Sequence, residues 1–299
     1  MSHRADVHEA AAAVETFEAG ADFLLAKQAT LDVILRALGG AVVAFSGGVD
    51  SAYLLSAAHA ALGDRCVAAT AVSPSLAHEE LAISKRIAAA MGARHILVET
   101  QELDDPRYRR NDHQRCYFCK HELFTRLARL SARLDLPHVI YGANADDVGD
   151  YRPGMRAAGE FGARAPLLEA GLGKQEIRRL ARVRGIEVWD KPASPCLASR
   201  LPFGTAVTRP ALAQIEQSER ILHGLGFRDV RVRHHGAAAR IEVPRPEIPR
   251  LAAALPEVTA ALRALGFRDV TIAPDGLRSG RYTAALVPHG RAAFHEELR

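Results

Sequence analysis

The run AVVAFSGGVDSAYLL, Ala41 to Leu55, passes from an apolar segment through a glycine turn into a helical pattern with almost nothing between them. A short continuous apolar run of this kind reads as a strand buried on both faces, which places it in a parallel sheet. The same unit recurs down the chain. The spacing predicts strands at Ala41–Phe45, Cys66–Val72, His95–Glu99 and His138–Gly142. Helices are predicted at Ala52–Leu62, Leu76–Met91 and Tyr117–Leu134, after a first helix Leu24–Leu38 stopped by Gly39 and Gly40. Strict alternation predicts right-handed βαβ crossovers. The expected class is therefore α/β, a doubly wound parallel sheet with helices on both faces. Ligands of such sheets sit at the carboxyl ends of the strands. The Ser46 loop, Ser73, Asn144 and Asp147 all fall there.

Gly47 and Gly48 let the backbone turn tightly and aim its N–H groups inward. The helix that follows adds its positive N-terminal end. Ser46 and Ser51 add hydroxyl donors, and Asp50 is placed to orient a metal or cap the helix. A plain strand-to-helix turn also uses Gly and Ser. The whole string at the opening of a wound sheet favours a phosphate-holding loop, although it lacks the lysine of the commonest such loop.

Beyond Tyr151 the pattern loosens. Lys174 to Arg184 reads as a basic helix, and Lys191 to Gly204, with three prolines and a cysteine, as a working loop before a boundary. Further on, LHGLGFRDV from Leu222 is echoed by LRALGFRDV from Leu262, each a helix end, a glycine cap and a strand start. The expected organisation is an arm or frayed helix at 1–21, a main domain at 22–204, a second, smaller α/β domain at 205–285 and a tail at 286–299. With 299 residues, 48% hydrophobic and 25% charged, the chain has ample core for this. No apolar run is long enough for a bilayer, and the first residues do not read as a signal peptide, so no membrane partner is expected. Four cysteines are no secreted disulfide framework, and the expected location is cytoplasmic. A net charge of +4 suits anionic ligands but is too mild to argue for nucleic acid.

Cys116 and Cys119, three residues apart at a helix start, share one face. They are either a metal-sharing pair or two half-buried thiols. Cys66, mid-strand in an apolar run, reads as core. Cys196 has Pro, Ser, Arg and Lys as neighbours, an electropositive setting suited to a thiolate. Trp189 reads as packing.

SGGVDS is the signature string of the PP-loop ATP pyrophosphatases, whose fold is adenine nucleotide α-hydrolase-like, and the chain resembles them there. The resemblance implies that the loop grips the β- and γ-phosphates of ATP, which is cut between α and β. A substrate oxygen is adenylylated, and a nitrogen or sulfur nucleophile displaces AMP. Holding departing pyrophosphate would also account for the missing lysine. RCYFCK at Arg115, YGANADDVGDYRPG at Tyr141, KPASPCLASRLP at Lys191 and RVRHHGAAARIEVP at Arg231 follow one another as in the LarE group of ATP-dependent sulfur transferases. That similarity runs from about Leu24 to Tyr282. It implies a pyridinium-3,5-biscarboxylic acid mononucleotide as substrate. A carboxylate of that substrate becomes a thiocarboxylate, in biosynthesis of the nickel-pincer nucleotide cofactor of lactate racemase.

Carried onto this chain, the resemblance implies ATP at Ser46, Gly47, Gly48, Asp50, Ser51, Ser73 and Asn144. It makes Cys196 the sulfur carrier. Three thiolates, Cys116, Cys119 and Cys196, suit a 4Fe-4S cluster with one iron open to external sulfide. The alternatives are sacrifice of the Cys196 sulfur, leaving dehydroalanine, or zinc with His113 or His121. Asp146, Asp147 and Asp150 beside Asn144 either bind Mg²⁺ with ATP or cap turns; Asp147 is the named candidate. Arg231 and Arg233 alternate on a strand with His235, either a clamp on the substrate phosphate or a solvated basic face. Lys191 and Arg200 either stabilise a thiolate and the acyl-adenylate or are solvated. The smaller domain resembles a carboxylase of purine synthesis and implies a homo-oligomer built on trimers, up to a hexamer. A tRNA thiolase is the rival enzyme, but the C-terminal region is short and not strongly basic. A non-catalytic nucleotide sensor has no use for three cysteines, and an amidating ligase has none for Cys196.

Overall fold

β-Branched and small apolar residues fill the first strand, β1 (Ala41–Ala44), and the chain turns at once into a helix. In chain order the elements begin with helix α1 (residues 22–37), then β1, α2 (Val49–Leu62), β2 (Cys66–Val72), α3 (His78–Ala90) and β3 (Arg94–Glu99). There follow α4 (Pro106–Arg109), α5 (Arg115–Arg133), β4 (His138–Tyr141), α6 (Pro153–Glu160), α7 (Pro166–Glu169) and α8 (Lys174–Val183). The last are α9 (Arg209–Gly224), β5 (Arg231–His235), β6 (Ala238–Glu242), α10 (Ile248–Ala264) and β7 (Asp269–Ile272). This computed structural model describes residues 22–148 and 153–277. The expected arm at 1–21, the tail at 286–299 and Asp150 lie outside the described residues.

The described chain forms two compact units. The first holds residues 22–72, 78–100, 120–148 and 153–194. Its sheet has the order β3-β2-β1-β4 and is parallel throughout, with Ala41 opposite Cys66 on one side and His138 on the other. Ala41, Val42 and Val43 are wholly buried, as a strand covered on both faces requires. Leu31 and Leu35 of α1, Tyr53 and Leu54 of α2, Ile140 of β4 and Ile177 of α8 pack in the same core. α2 begins at Val49, ahead of the expected Ala52, because Gly48 in extended backbone serves as its N-cap.

The second unit holds residues 73–77, 101–119 and 195–277, including the first turn of α5. Its sheet has the order β5-β6-β7, β5 antiparallel and β7 parallel to β6. Period-two alternation divides that sheet sharply. Val232, Ala239 and Ile241 join a core with Leu222, Phe227, Leu251, Leu262 and Phe267. Arg231, Arg233 and Glu242 belong to the other face of the pleat. A separate cluster packs Tyr108, Leu197, Leu212 and Ile215 with Phe118 and Cys119. The echoed sequence takes one form twice: α9 and α10 each end just before a left-handed glycine, Gly226 (φ +84°) or Gly266 (φ +102°), and a buried phenylalanine. Among the described residues no helix is long and apolar enough to cross a membrane.

Candidate functional site

The loop after β1 is built from its own hydroxyls. Ser51 Oγ donates to the Gly48 carbonyl (3.0 Å) and accepts from the Ser46 amide (3.2 Å). The two hydroxyls lie 3.1 Å apart, and the Gly48 amide reaches Ser46 Oγ at 3.4 Å. Gly47 has φ +74°, and a Cβ there would lie 3.2 Å from the Ser84 backbone, so the position excludes side chains twice over. Ser46 is exposed while Gly47 and Ser51 are buried beneath it.

Asp50, in the first turn of α2, is ion-paired with Lys174, the first residue of α8, and Asn144 Nδ2 lies 3.4 Å from its other oxygen. A lysine from elsewhere in the chain is thus brought beside the start of α2. Sequence reasoning placed Lys174 only at the start of a basic helix; its position directly after Gly173 was the available signal. Asp146 accepts from the Lys174 amide (2.7 Å), tying the turn after β4 to the start of α8. Asp147 is buried and accepts from the Asn144 amide (3.0 Å) while Asn144 caps the same turn. It therefore does the work of a turn cap here. Ser73 falls in the second unit, where its hydroxyl donates to the buried Glu102 carboxylate.

The three candidate cysteines also belong to the second unit, and none is in a disulfide. Cys116 and Cys196 are exposed and Cys119 is half-buried. The two segments that carry them share neighbours. Burial pulls the Arg115 guanidinium down, but Cys196, Cys116 and Tyr108 outweigh it and hold the group above its ordinary value. Burial pushes the Tyr108 phenol far up, and Cys196 and Cys119 push it further. Among the described residues no three of His, Cys, Asp and Glu are gathered closely enough to hold a metal ion. The donor type suits an iron–sulfur cluster, and both segments border Arg115 and Tyr108. Burial pushes the Cys66 thiol up to about 12, as befits a core residue. Trp189 packs on the first unit's core, with the Arg182 guanidinium 4.9 Å from its ring centroid.

The solvated alternatives for the arginines do not hold. Arg200, Arg231 and Arg233 are all buried. Arg233 pairs with Glu242 (2.8 Å) and donates to the Ser199 carbonyl (2.8 Å). Arg200 pairs with Glu219 (2.9 Å) and donates to the carbonyls of Pro195 and Cys196 and to Ser199 Oγ. Glu219 also accepts from the Val232 amide (2.9 Å). Burial lowers the Arg231 pKa, and Arg200 and Arg233 lower it further, against the weaker pull of Glu242 and Glu219. Three buried guanidiniums thus lie with the buried carboxylates of Glu219 and Glu242. Lys191 belongs to the first unit and pairs with Glu80 at 2.6 Å.

No family model matches the chain. An uncharacterised protein of Synechocystis is 42% identical over 251 residues, 83% of this chain and 94% of its own. An uncharacterised protein of Methanocaldococcus jannaschii is 29% identical over 163 residues, 54% of this chain and 64% of its own. The pyridinium-3,5-bisthiocarboxylic acid mononucleotide synthase of Lactiplantibacillus plantarum is 37% identical over 272 residues, 91% of this chain and 99% of its own. Identity at that level across nearly the whole of both proteins means that this chain belongs to the LarE family of pyridinium-3,5-bisthiocarboxylic acid mononucleotide synthases.

Proposed function

We propose that the protein is an ATP-dependent sulfur transferase. It adenylylates a carboxylate of a pyridinium-3,5-biscarboxylic acid mononucleotide and converts it to a thiocarboxylate. The thiocarboxylate would be an intermediate in biosynthesis of the nickel-pincer nucleotide cofactor of lactate racemase. The observation that carries the reading is Cys196: an exposed thiol on a loop whose carbonyls are held by the buried guanidinium of Arg200. The synthase relative supplies the substrate.

The PP-loop, Ser46 to Ser51, would bind the outer phosphates of ATP through its amides and hydroxyls, with Lys174 adding positive charge and Asp50 and Asn144 beside it. Asp50 would exchange its lysine partner for Mg²⁺ when the nucleotide enters. The substrate carboxylate attacks the α-phosphorus and pyrophosphate leaves. A sulfur nucleophile then attacks the activated carboxyl carbon and AMP leaves. Arg231 and Arg233 would take the substrate phosphate, for which their shared face on β5 and the family resemblance are the support. Cys116, Cys119 and Cys196 would hold a 4Fe-4S cluster whose open iron supplies bound sulfide as the sulfur source. In a second reading, which the exposure of the Cys196 thiol favours, Cys196 itself attacks and surrenders its sulfur. Assembly into trimer-based oligomers follows from the family resemblance.

The test is one incubation of anaerobically reconstituted protein with ATP, the mononucleotide and sulfide. AMP, pyrophosphate and thiocarboxylate are expected in equal amounts over several turnovers, with the protein mass unchanged. A chain that has lost the elements of H₂S at Cys196 after one turnover establishes the sacrificial route. No thiocarboxylate under either condition overturns the reading.

A further inference from the structure

The segment from Arg109 to Arg115 is stitched to the segment from Leu197 to Val207 by a set of hydrogen bonds that centre on one residue. Asn111 is wholly buried and has φ +58°, a left-handed conformation that asparagine tolerates better than most residues. Its amide nitrogen donates to the carbonyls of Pro202 (2.8 Å) and Thr205 (2.7 Å). Its side-chain oxygen accepts from Arg115 Nη1 (2.6 Å), and its own carbonyl accepts from the Gly204 amide (3.0 Å). The same Arg115 nitrogen donates to the Ala198 carbonyl (2.9 Å), two residues past Cys196. The Val207 amide reaches the Arg109 carbonyl (2.9 Å), and the Leu197 amide reaches that of Ser75 (2.9 Å). Each side chain thus joins the stretch leading into the helix that carries Cys116 and Cys119 to the segment that follows Cys196.

We propose that Asn111 and Arg115 are positioning residues that hold the Cys196 loop in register with the first turn of α5, so that the thiols of both segments serve one reaction. The proposal rests on the sulfur-transfer reading above. A glycine at 111 would satisfy the backbone but lose the bridges to Pro202 and Thr205. A methionine at 115 would fill the space but lose the bridges to Asn111 and Ala198. A lysine at 115 keeps the charge and enough donors for both acceptors.

The experiment compares Arg115→Met, Arg115→Lys and Asn111→Gly with the parent protein. The first readout is the yield of cross-links between Cys196 and Cys116 or Cys119 formed by a short bismaleimide, read from peptide masses of the metal-free protein. The second is the split between kcat of sulfur transfer and KM for ATP. Arg115→Met and Asn111→Gly are expected to lose roughly tenfold or more in both cross-link yield and kcat, since small misplacements of reacting groups carry large rate losses. KM for ATP is expected to stay the same, and Arg115→Lys to recover most of both losses. Unchanged cross-linking in either folded variant, or a lysine as impaired as methionine, overturns the proposal. If Arg115→Met fails to fold, Asn111→Gly decides. If the parent cross-links but transfers no sulfur to the mononucleotide, the functional reading has failed, and the cross-link comparison still decides the positioning.

Discussion

Lys174 and Asp50 make a pair that is neither buried nor free, with side chains 33% and 22% exposed. A half-exposed pair adds only about 0–1 kcal/mol to stability. A charged contact to nucleotide phosphate is stronger, about 1.5–3 kcal/mol. Lys174→Met is therefore expected to leave the unfolding midpoint nearly unchanged while weakening ATP binding by roughly tenfold or more. Calorimetric titration checks it, and unchanged affinity would remove Lys174 from the site. Arg233 stands at the opposite extreme. Its partner Glu242 is wholly buried, so Arg233→Met removes an ion-pair partner from a buried carboxylate and is expected to cost about 3–5 kcal/mol in urea unfolding. His95 adds a pH dependence. Burial first, and Lys85 second, lower its pKa, so the unfolded chain binds this proton more readily. Stability from this group is complete above about pH 6.5 and is lost as the pH falls through that value. Urea midpoints at pH 7.5 and 5.5 should differ less in a His95→Gln variant than in the parent. The glycine loop and the cysteines were legible because their chemistry lies in adjacent residues. Lys174, Glu219 and Glu242 were not, because a long-range partner is chosen by the fold and leaves no local mark.

At the scale of elements, periodicity located the four parallel strands to within a residue or two, most plainly β1, which is covered on both faces and apolar throughout, whereas the edge strand β3 carries exposed Arg94 and Glu99. Helix starts were less legible. α2 and α5 begin earlier than their apolar spacing implies, since a first turn can be polar and still be helical. The short helices α4 and α7 left no periodic trace at all. The echoed nonapeptides were legible and carry a stability test. They align Gly224 with Ala264 and Gly226 with Gly266. Gly224 ends α9, and a Cβ there would meet nothing within 4 Å. Gly224→Ala copies the second unit of the echo onto the first and is expected to stabilise by about 0.5–1 kcal/mol. Gly266 has φ +102°, and a Cβ would lie 3.0 Å from Gln214 Nε2. That nitrogen donates to the Leu265 carbonyl, so it has little room to yield. Gly266→Ala is expected to destabilise by about 1–3 kcal/mol. Thermal or urea unfolding of the two variants should move in opposite directions, and equal shifts would mean that the echo is a likeness of sequence without a common backbone.

At the scale of the whole molecule, the linear order of motifs hides how the chain is shared out. Residues 73–77 and 101–119 leave the run of βαβ units and join the later part of the chain in the second unit. Nothing in their composition announces this, because the decision rests on contacts with residues a hundred positions away, such as the bond from Leu197 to Ser75. The consequence is chemical. The Ser46–Ser51 loop, Asn144 and Lys174 belong to the first unit, whereas Cys116, Cys119, Cys196 and the buried arginines Arg200, Arg231 and Arg233 belong to the second. If the two sets act independently, damage to one should spare the binding done by the other. Cys116→Ala, Cys119→Ala and Cys196→Ala are each expected to abolish multiple-turnover sulfur transfer while changing the Kd for ATP by less than about twofold. Asp50→Ala is expected to do the converse: pyrophosphate release is lost, while iron and sulfide content after anaerobic reconstitution matches the parent. Cys66→Ala should leave both functions in place, since that thiol is core. The five variants and the parent, assayed for ATP affinity, metal content and thiocarboxylate, are enough to decide. A cysteine variant that loses ATP binding without unfolding would show that the two sets act as one, and the division of labour between the units would have to be abandoned.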